Sequence, residues 1–505
     1  MSSFRDILKH SSVYAVGQIL SRIASVLLLP LYTRCLSTAD YGCVAILDLT
    51  AGILAILIGA GMAQAVVRFH FDADNDDCRS RVWWSGLLWI LTAASCVIGP
   101  MLLGRSLLAD LTLGSDVTDG AFFYLLAIAT LWMNMLGEFM FAYLRVRKWS
   151  GLFVVCSLGR LLLNIGLNVW LLVGLELGVT GLLTGNLIAA SVNAAVLLSI
   201  FAITMPYRGF DLPVMRRLLA FGSPLIVYAF LSLMMHEADR YLLRLFGSLE
   251  QVGVYSLAYK IGHAVNMLCI VPFVSIWNVV MYEIAAQPDS RRTYATVFRH
   301  YISALLVVML AASLFAFVLL PVLTPGDFAG AVDLVPIVLL AFVFFSMHAQ
   351  FCVPALLVKK TTSLLPASAA GVVVNVSANA LLIPHFGATG AAWSSVLTYA
   401  TFSFGGLWVY RQIDRYPYPF GRLFVSTLLV GALFVGVRYG LFPYFDSLAA
   451  QLLIATVVTA FCAIVLCGSA ALPVIEILER KTGRRLIPHA LRRRKSTPPQ
   501  HPAVV

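Results

Sequence analysis

The residues best equipped for chemistry in this 505-residue chain sit where charge is least welcome. His236-Glu237-Ala238-Asp239-Arg240 follows eighteen apolar-rich residues, Leu218 to Met235, and the apolar pattern resumes at Tyr241-Leu242-Leu243. After the polar turn Gly247-Ser248-Leu249-Glu250-Gln251, a second apolar run carries Lys260 and His263. An ionised side chain at the centre of a membrane helix costs about 2.5–3.5 kcal/mol, so Glu237, Asp239 and Arg240 facing lipid would cost on the order of 10 kcal/mol. They must face protein, water or one another. Ser256, Lys260, His263 and Met267 share one helical face. Arg22 lies near the middle of the first apolar run and Asp48 inside the second. Glu138, with Asn134 one turn before it, lies about as deep as Arg160, which shares a face with Asn164 and Asn168. Lysine and arginine in a wet cleft are suited to holding phosphate. Against that stand plainer readings. Glu237 and Arg240 are spaced to neutralise each other, and Glu138 and Arg160 to hold two helices together. Arg22 and Lys260 have no partner within their own helices, and intramembrane bases of that kind point to a functional cavity.

The elements that must position these residues are membrane helices. The chain is 60% hydrophobic and 12% charged, with mean hydropathy +0.89, whereas a soluble protein is nearer a quarter charged. A net charge of +11 raises the question of nucleic acid. The basic residues, however, occupy short gaps between apolar runs, as orientation signals do, and no nucleic-acid partner is expected. Nine scattered cysteines show no CxxC and no metal-ligand spacing; they read as buried free thiols, and no metal site is expected. Met1 to His10 is polar and the run behind it too long for a signal sequence, so no cleavable signal is expected. A phosphate-cradling loop and a catalytic constellation are both absent from the sequence, so the chain does not read as an enzyme.

Fourteen spans are expected. Six form one group: Ser11–Cys35, Tyr41–Val67, Val82–Leu103, Ala121–Leu144, Leu152–Val173 and Val179–Ile203. Six more follow: Leu218–Phe246, Gly253–Met281, Tyr301–Leu323, Leu334–Val358, Thr362–Ile383 and Ala388–Val409. The last pair is Leu423–Leu441 and Leu448–Leu472. Clusters such as Arg145-Val146-Arg147-Lys148, Arg216-Arg217, Arg291-Arg292 and Lys359-Lys360 fall in alternate gaps, while the opposite gaps hold acids such as Asp110, Glu176, Glu250 and Asp327. The positive-inside rule then places both termini in the cytoplasm, which an even number of spans allows.

The sequence also repeats itself. Gly42 corresponds to Gly253 at an offset of 211 residues, and the same offset carries Lys148 onto Lys359, Asn164 onto Asn375 and Asn168 onto Asn379. After a two-residue slip, Gly178-Val179-Thr180-Gly181 answers Gly387-Ala388-Thr389-Gly390. Spans one to six and seven to twelve thus read as two parallel copies of one unit. The expected divisions are a first six-helix lobe (1–204), a cytoplasmic linker (205–217), a second lobe (218–411), helices 13 and 14 (412–475) and a basic cytoplasmic tail (476–505). Lys260 maps beside Asp48, so the two should lie at similar depth.

Ala238-Asp239-Arg240-Tyr241-Leu242-Leu243, followed by Val252-Gly253-Val254-Tyr255-Ser256-Leu257-Ala258-Tyr259-Lys260, resembles the seventh-to-eighth-span signature of polysaccharide flippases. So does Leu29-Pro30-Leu31-Tyr32-Thr33-Arg34 with Asp40-Tyr41-Gly42 at the first turn. These flippases, for O-antigen and exopolysaccharide, belong to the multidrug/oligosaccharidyl-lipid/polysaccharide exporter superfamily. The resemblance implies a multi-pass protein of the bacterial inner membrane that moves undecaprenyl-diphosphate-linked oligosaccharide from the cytoplasmic to the periplasmic leaflet. It implies two six-helix lobes in a V around a cleft with alternating access, membrane lipid at its surface and, as partners, other polysaccharide assembly proteins. Arg22, Arg240 and Lys260 fit the basic cleft of such proteins, and His263, Tyr255, Tyr259 and Asn266 stand beside them to meet substrate. Asp48 departs from the pattern by placing an acid on span two. Asp48, Glu237 and Asp239 are expected to keep the bases charged, with Glu138 and Arg160 a second charge pair. No cofactor is implied; coupling to H+ or Na+ stays open. Two rivals stand beside this reading: a drug/cation antiporter of the same fold, and a membrane glycan polymerase or ligase.

Overall fold

The computed structural model describes residues 28–59, 61–115, 117–285, 288–358 and 365–482. Arg22 and most of the first expected span lie outside the described residues. Everything described that is regular is helix, as a chain in lipid requires when its backbone must satisfy itself. In order the helices are α1 (Leu29–Cys35), α2 (Thr38–Gly59), α3 (Met62–Asp72), α4 (Asp76–Leu103), α5 (Arg105–Thr112), α6 (Gly120–Val146), α7 (Ser150–Val169), α8 (Gly178–Thr204) and α9 (Leu212–Phe246). There follow α10 (Leu249–Val265), α11 (Val271–Ala285), α12 (Ser290–Leu323), α13 (Gly330–Phe351), α14 (Val353–Leu357), α15 (Leu365–Ile413), α16 (Phe420–Val435) and α17 (Leu448–Thr482). Among the described residues, eleven helical stretches are long and apolar enough to cross a membrane.

Helix ends follow local chemistry. Asn75, Asp211 and Ser248 cap α4, α9 and α10 by accepting the backbone N–H three residues on, which satisfies an otherwise orphaned donor. Five-residue π-helical turns prolong α7 (Trp170–Gly174) and join α10 to α11 (Asn266–Ile270). The described parts of two expected spans, Thr362–Ile383 and Ala388–Val409, are two helices within α15 that meet at a kink at Gly387 (φ 54°, ψ −131°). That backbone conformation is open to glycine and strained for any residue with a Cβ.

The described residues pack as two compact units. One holds those of Met1–Ala285 with Ala316–Arg415; the other holds those of Ala286–Phe315 with Tyr416–Val505. In the second, Tyr294 stacks on Tyr416 at 5.0 Å and Phe298 meets Tyr418 at 4.5 Å. In the first, Trp83 is fully buried, edge-on to Phe139 and Tyr143, and its indole N–H donates to His70 Nδ1 at 3.1 Å. A second apolar cluster gathers Met235, Ala341, Val396 and Tyr399, with Phe345 and Phe402 packed against it.

The two repeats meet most intimately where α2 crosses α10. A Cβ on Gly42 would fall on the carbonyl of Leu249, and a Cβ on Gly253 on the carbonyl of Thr38. Thr38 and Leu249 are themselves 211 residues apart, as Gly42 and Gly253 are. The contact is therefore reciprocal, each copy giving the other the same pair of positions, which is the mark of a two-fold relation. Small residues let membrane helices approach this closely and gain backbone packing that larger side chains forbid.

Candidate functional site

Just beside that crossing lies a cavity of about 280 Å³. Its walls come from both repeats: Tyr32 of α1, Tyr41 and Asp48 of α2, Asn186 of α8, Glu237 and Arg240 of α9, and Tyr259, Lys260 and His263 of α10. The charges sit there because α9 and α10 each turn one polar face toward α2, while their other faces build the apolar core.

Glu237 and Arg240 form an ion pair one turn apart on α9, with side chains only 21% and 14% exposed. The Arg240 guanidinium also lies over the ring of Tyr259, 4.9 Å from its centre, an attraction that strengthens as water is excluded. Lys260 is held differently. Its Nζ lies between two aromatic faces, 5.6 Å from the centre of Tyr32 and 5.7 Å from that of Tyr41, and donates to the Tyr41 hydroxyl at 3.4 Å. It makes no ion pair among the described residues. Asp48 lines the same cavity, so the acid and the base that the repeat sets at similar depth do share a site. The cavity thus holds one neutralised base, one base caged by tyrosine, a histidine and a second carboxylate.

Asp239 goes elsewhere. It is buried behind the cavity, where the hydroxyls of Tyr255 and Ser395 donate to its Oδ2 and the Arg240 backbone N–H to its Oδ1. Its charge is thus met by neutral donors, not by a base. Tyr255 is consumed by this cluster and does not line the cavity. Asn266 is buried one turn past His263, on the π-helical turn, with its Oδ1 unpartnered among the described residues. Tyr259 donates to or accepts from Tyr399 at 3.1 Å while its ring faces the cavity. Arg160 and Glu138 are outside this cavity; the Arg160 guanidinium donates to Asn134 at 2.7 Å and not to Glu138. Tyr32, Tyr41 and Asn186 join the site from positions that helical-face reasoning about charges alone passes over. The signal was present for the two tyrosines, each lying inside a turn motif beside Pro30 or Gly42.

No group of three or more metal-ligating His, Cys, Asp or Glu side chains occurs among the described residues. The site's chemistry is that of holding a charged, hydroxyl-bearing solute by hydrogen bonds and opposite charge.

The described residues thus form a multi-pass helical fold with a charged cavity where α2, α9 and α10 come together. The solved structures it matches agree on the fold. The lipid II flippase MurJ in an inward closed conformation superposes with a TM-score of 0.73 at 11% identity, covering 92% of this chain and 100% of that one. An inward-facing multidrug resistance MATE family transporter of the MOP superfamily gives 0.62 at 15% identity, over 77% of this chain and 94% of that one. A point mutant of the Vibrio cholerae MATE transporter VcmN gives 0.54 at 16% identity, over 81% and 96%. No curated protein matches the chain. The polysaccharide biosynthesis protein model matches residues 7–277, and the chain belongs to that family.

Proposed function

We propose that this protein is a flippase that carries undecaprenyl-diphosphate-linked oligosaccharide from the cytoplasmic to the periplasmic leaflet of the bacterial inner membrane for surface polysaccharide synthesis. The observation that carries the reading is Lys260: an ammonium deep between helices, caged by Tyr32 and Tyr41 and without an ion pair among the described residues. Such a cation is available to an anion, and beside it Arg240 needs only to loosen from Glu237 to supply a second. A diphosphate supplies the anion; Tyr259, Asn186 and His263 are placed to meet the first sugar. Membership of a polysaccharide biosynthesis family and the fold shared with a lipid II flippase support the same class of substrate.

A cavity of about 280 Å³ is just below the range of about 300–1,000 Å³ for small-molecule sites. It takes the head of a lipid-linked glycan and not the whole, so the cavity widens during transport. The proposed topology has fourteen spans with both termini cytoplasmic. Lobes 1–204 and 218–411 rock about the linker 205–217, and helices 13 and 14 within 412–475 stand outside the repeat. The reciprocal crossing of Gly42 and Gly253 is the natural seal of the outer mouth, because both lie at the ends of spans opposite the arginine-rich gaps. A cation antiporter of the same fold fits less well, since its cargo would be repelled by an unpaired lysine. The test is removal of the protein in its own host. A lipid-linked glycan should accumulate in the cytoplasmic leaflet; unchanged lipid-linked glycan with altered sensitivity to cationic drugs would overturn the reading.

A further inference from the structure

The two repeats differ sharply at one place, and the difference is polar. In the first repeat the Arg160 guanidinium on α7 donates to Asn134 of α6 at 2.7 Å, and the exposed Glu138 stands one turn from Asn134, within electrostatic reach of Arg160. At the offset of 211 residues, Asn134, Glu138 and Arg160 become Phe345, Ala349 and Gly371. In the second repeat this region is solid core: Phe345 packs on the apolar cluster, and Gly371 closes against Met235 and Phe402. The fold itself therefore asks for no charge here. One copy of the same architecture does without it, whereas a carboxylate within a membrane span is a standing cost.

The polar groups also lead somewhere. Asn164 donates to Asn186 at 2.8 Å, and Asn168 donates to the Tyr32 hydroxyl at 2.8 Å. Asn186 and Tyr32 both line the cavity that holds Lys260. Arg160, Asn164 and Asn168 follow one another at single helical turns, so they form a stripe about 12 Å long along α7. It starts about 15 Å in from the helix's first residue and ends at the cavity wall. The equivalent asparagines of the second repeat, Asn375 and Asn379, are wholly buried, with Asn375 bonded to Thr398 and Asn379 to the Asn375 carbonyl. Asn164, by contrast, is only half-buried.

We infer that the polar cluster of Asn134 and Glu138 on α6 with Arg160 and Asn164 on α7 is a saccharide subsite that takes sugars beyond the one next to the diphosphate; the inference rests on the flippase reading above. The chemistry selects sugars over a second phosphate. A carboxylate and a guanidinium within electrostatic reach of each other offset in charge, yet between them they accept and donate, as the amides do, which matches a hydroxyl that does both. Sugar selectivity then resides in the first repeat and anion binding in the cavity.

The experiment uses the full chain in proteoliposomes with two probes. One is the lipid-linked oligosaccharide pool extracted from the host; the other is the same pool cut back to its first sugar by exoglycosidase. Glu138→Ala installs what the second repeat already carries at Ala349, so it suits the fold. It should slow transfer of the full-length pool by about tenfold, the loss expected for one hydrogen-bonding group of a charged residue. Transfer of the single-sugar lipid should be unchanged. Equal slowing of both probes, or of neither, would overturn the subsite while leaving the flippase reading in place. If the unmodified protein moves neither lipid, the flippase reading itself falls and takes the subsite with it.

Discussion

Replacing Arg240 by alanine should harm the protein more than replacing Arg240 and Glu237 together. The two side chains pair across one turn of α9 with 14% and 21% of their surface exposed, so solvent does little to replace a lost partner. Stranding one member of a buried pair costs about 3–5 kcal/mol. The guanidinium also leaves the face of Tyr259, from which it stands 4.9 Å, a contact worth about 0.5–2 kcal/mol. Both variants lose the aromatic contact, but only the single variant leaves Glu237 uncompensated. The pair opens on a cavity, which admits some water, so the lower end of the range applies: Arg240→Ala should be about 3 kcal/mol less stable than the double variant. Thermal unfolding of the purified proteins in one detergent, followed by loss of the monodisperse species, orders the three forms. Equal destabilisation of single and double variants would refute the reasoning, since Glu237 would then not depend on Arg240.

The crossing of the repeats makes a second expectation. Gly42→Ala sets a methyl group on the Leu249 carbonyl and should destabilise by about 1–3 kcal/mol, while Gly99→Ala, with nothing within 4 Å of the new Cβ, should be neutral or mildly stabilising; equal behaviour of the two would mean that α2 and α10 are not in close contact. Topology is checked by cysteine labelling in a background without reactive native thiols. A cysteine at Ser248 should react with an impermeant maleimide from the periplasm and one at Ser290 should not; labelling of Ser290 from outside would refute the proposed fourteen-span topology.

The helices were legible because a bilayer imposes a length and forbids unpaired backbone, so apolar runs and basic gaps carry nearly all the information. The correspondence of Gly42 with Gly253 was legible at the 211-residue offset, and both sit where only a hydrogen fits. Partner choice was not. Helical spacing places Glu237 beside Arg240, and the two do pair. It says nothing of Asp239, whose partner Ser395 lies 156 residues away, so Tyr255, expected to meet substrate, instead holds a buried carboxylate. The break at Gly387 was legible, since Pro384-His385-Phe386-Gly387 interrupts the apolar pattern where the backbone leaves helical geometry. The polar stripe on α7 was visible as spacing, but its meaning emerges only when the other repeat fills the same place with Phe345, Ala349 and Gly371.

The most direct test of the central claim is transfer of lipid-linked oligosaccharide across proteoliposomes by the unmodified protein, by Lys260→Ala and by Lys260→Arg, at matched protein incorporation. The unmodified protein should move the lipid, Lys260→Ala should reduce the rate sharply, and Lys260→Arg should restore part of it, because a guanidinium keeps the charge but not the fit between Tyr32 and Tyr41. Transfer by Lys260→Ala at the unmodified rate would contradict the claim that the cation caged in this cavity carries the diphosphate.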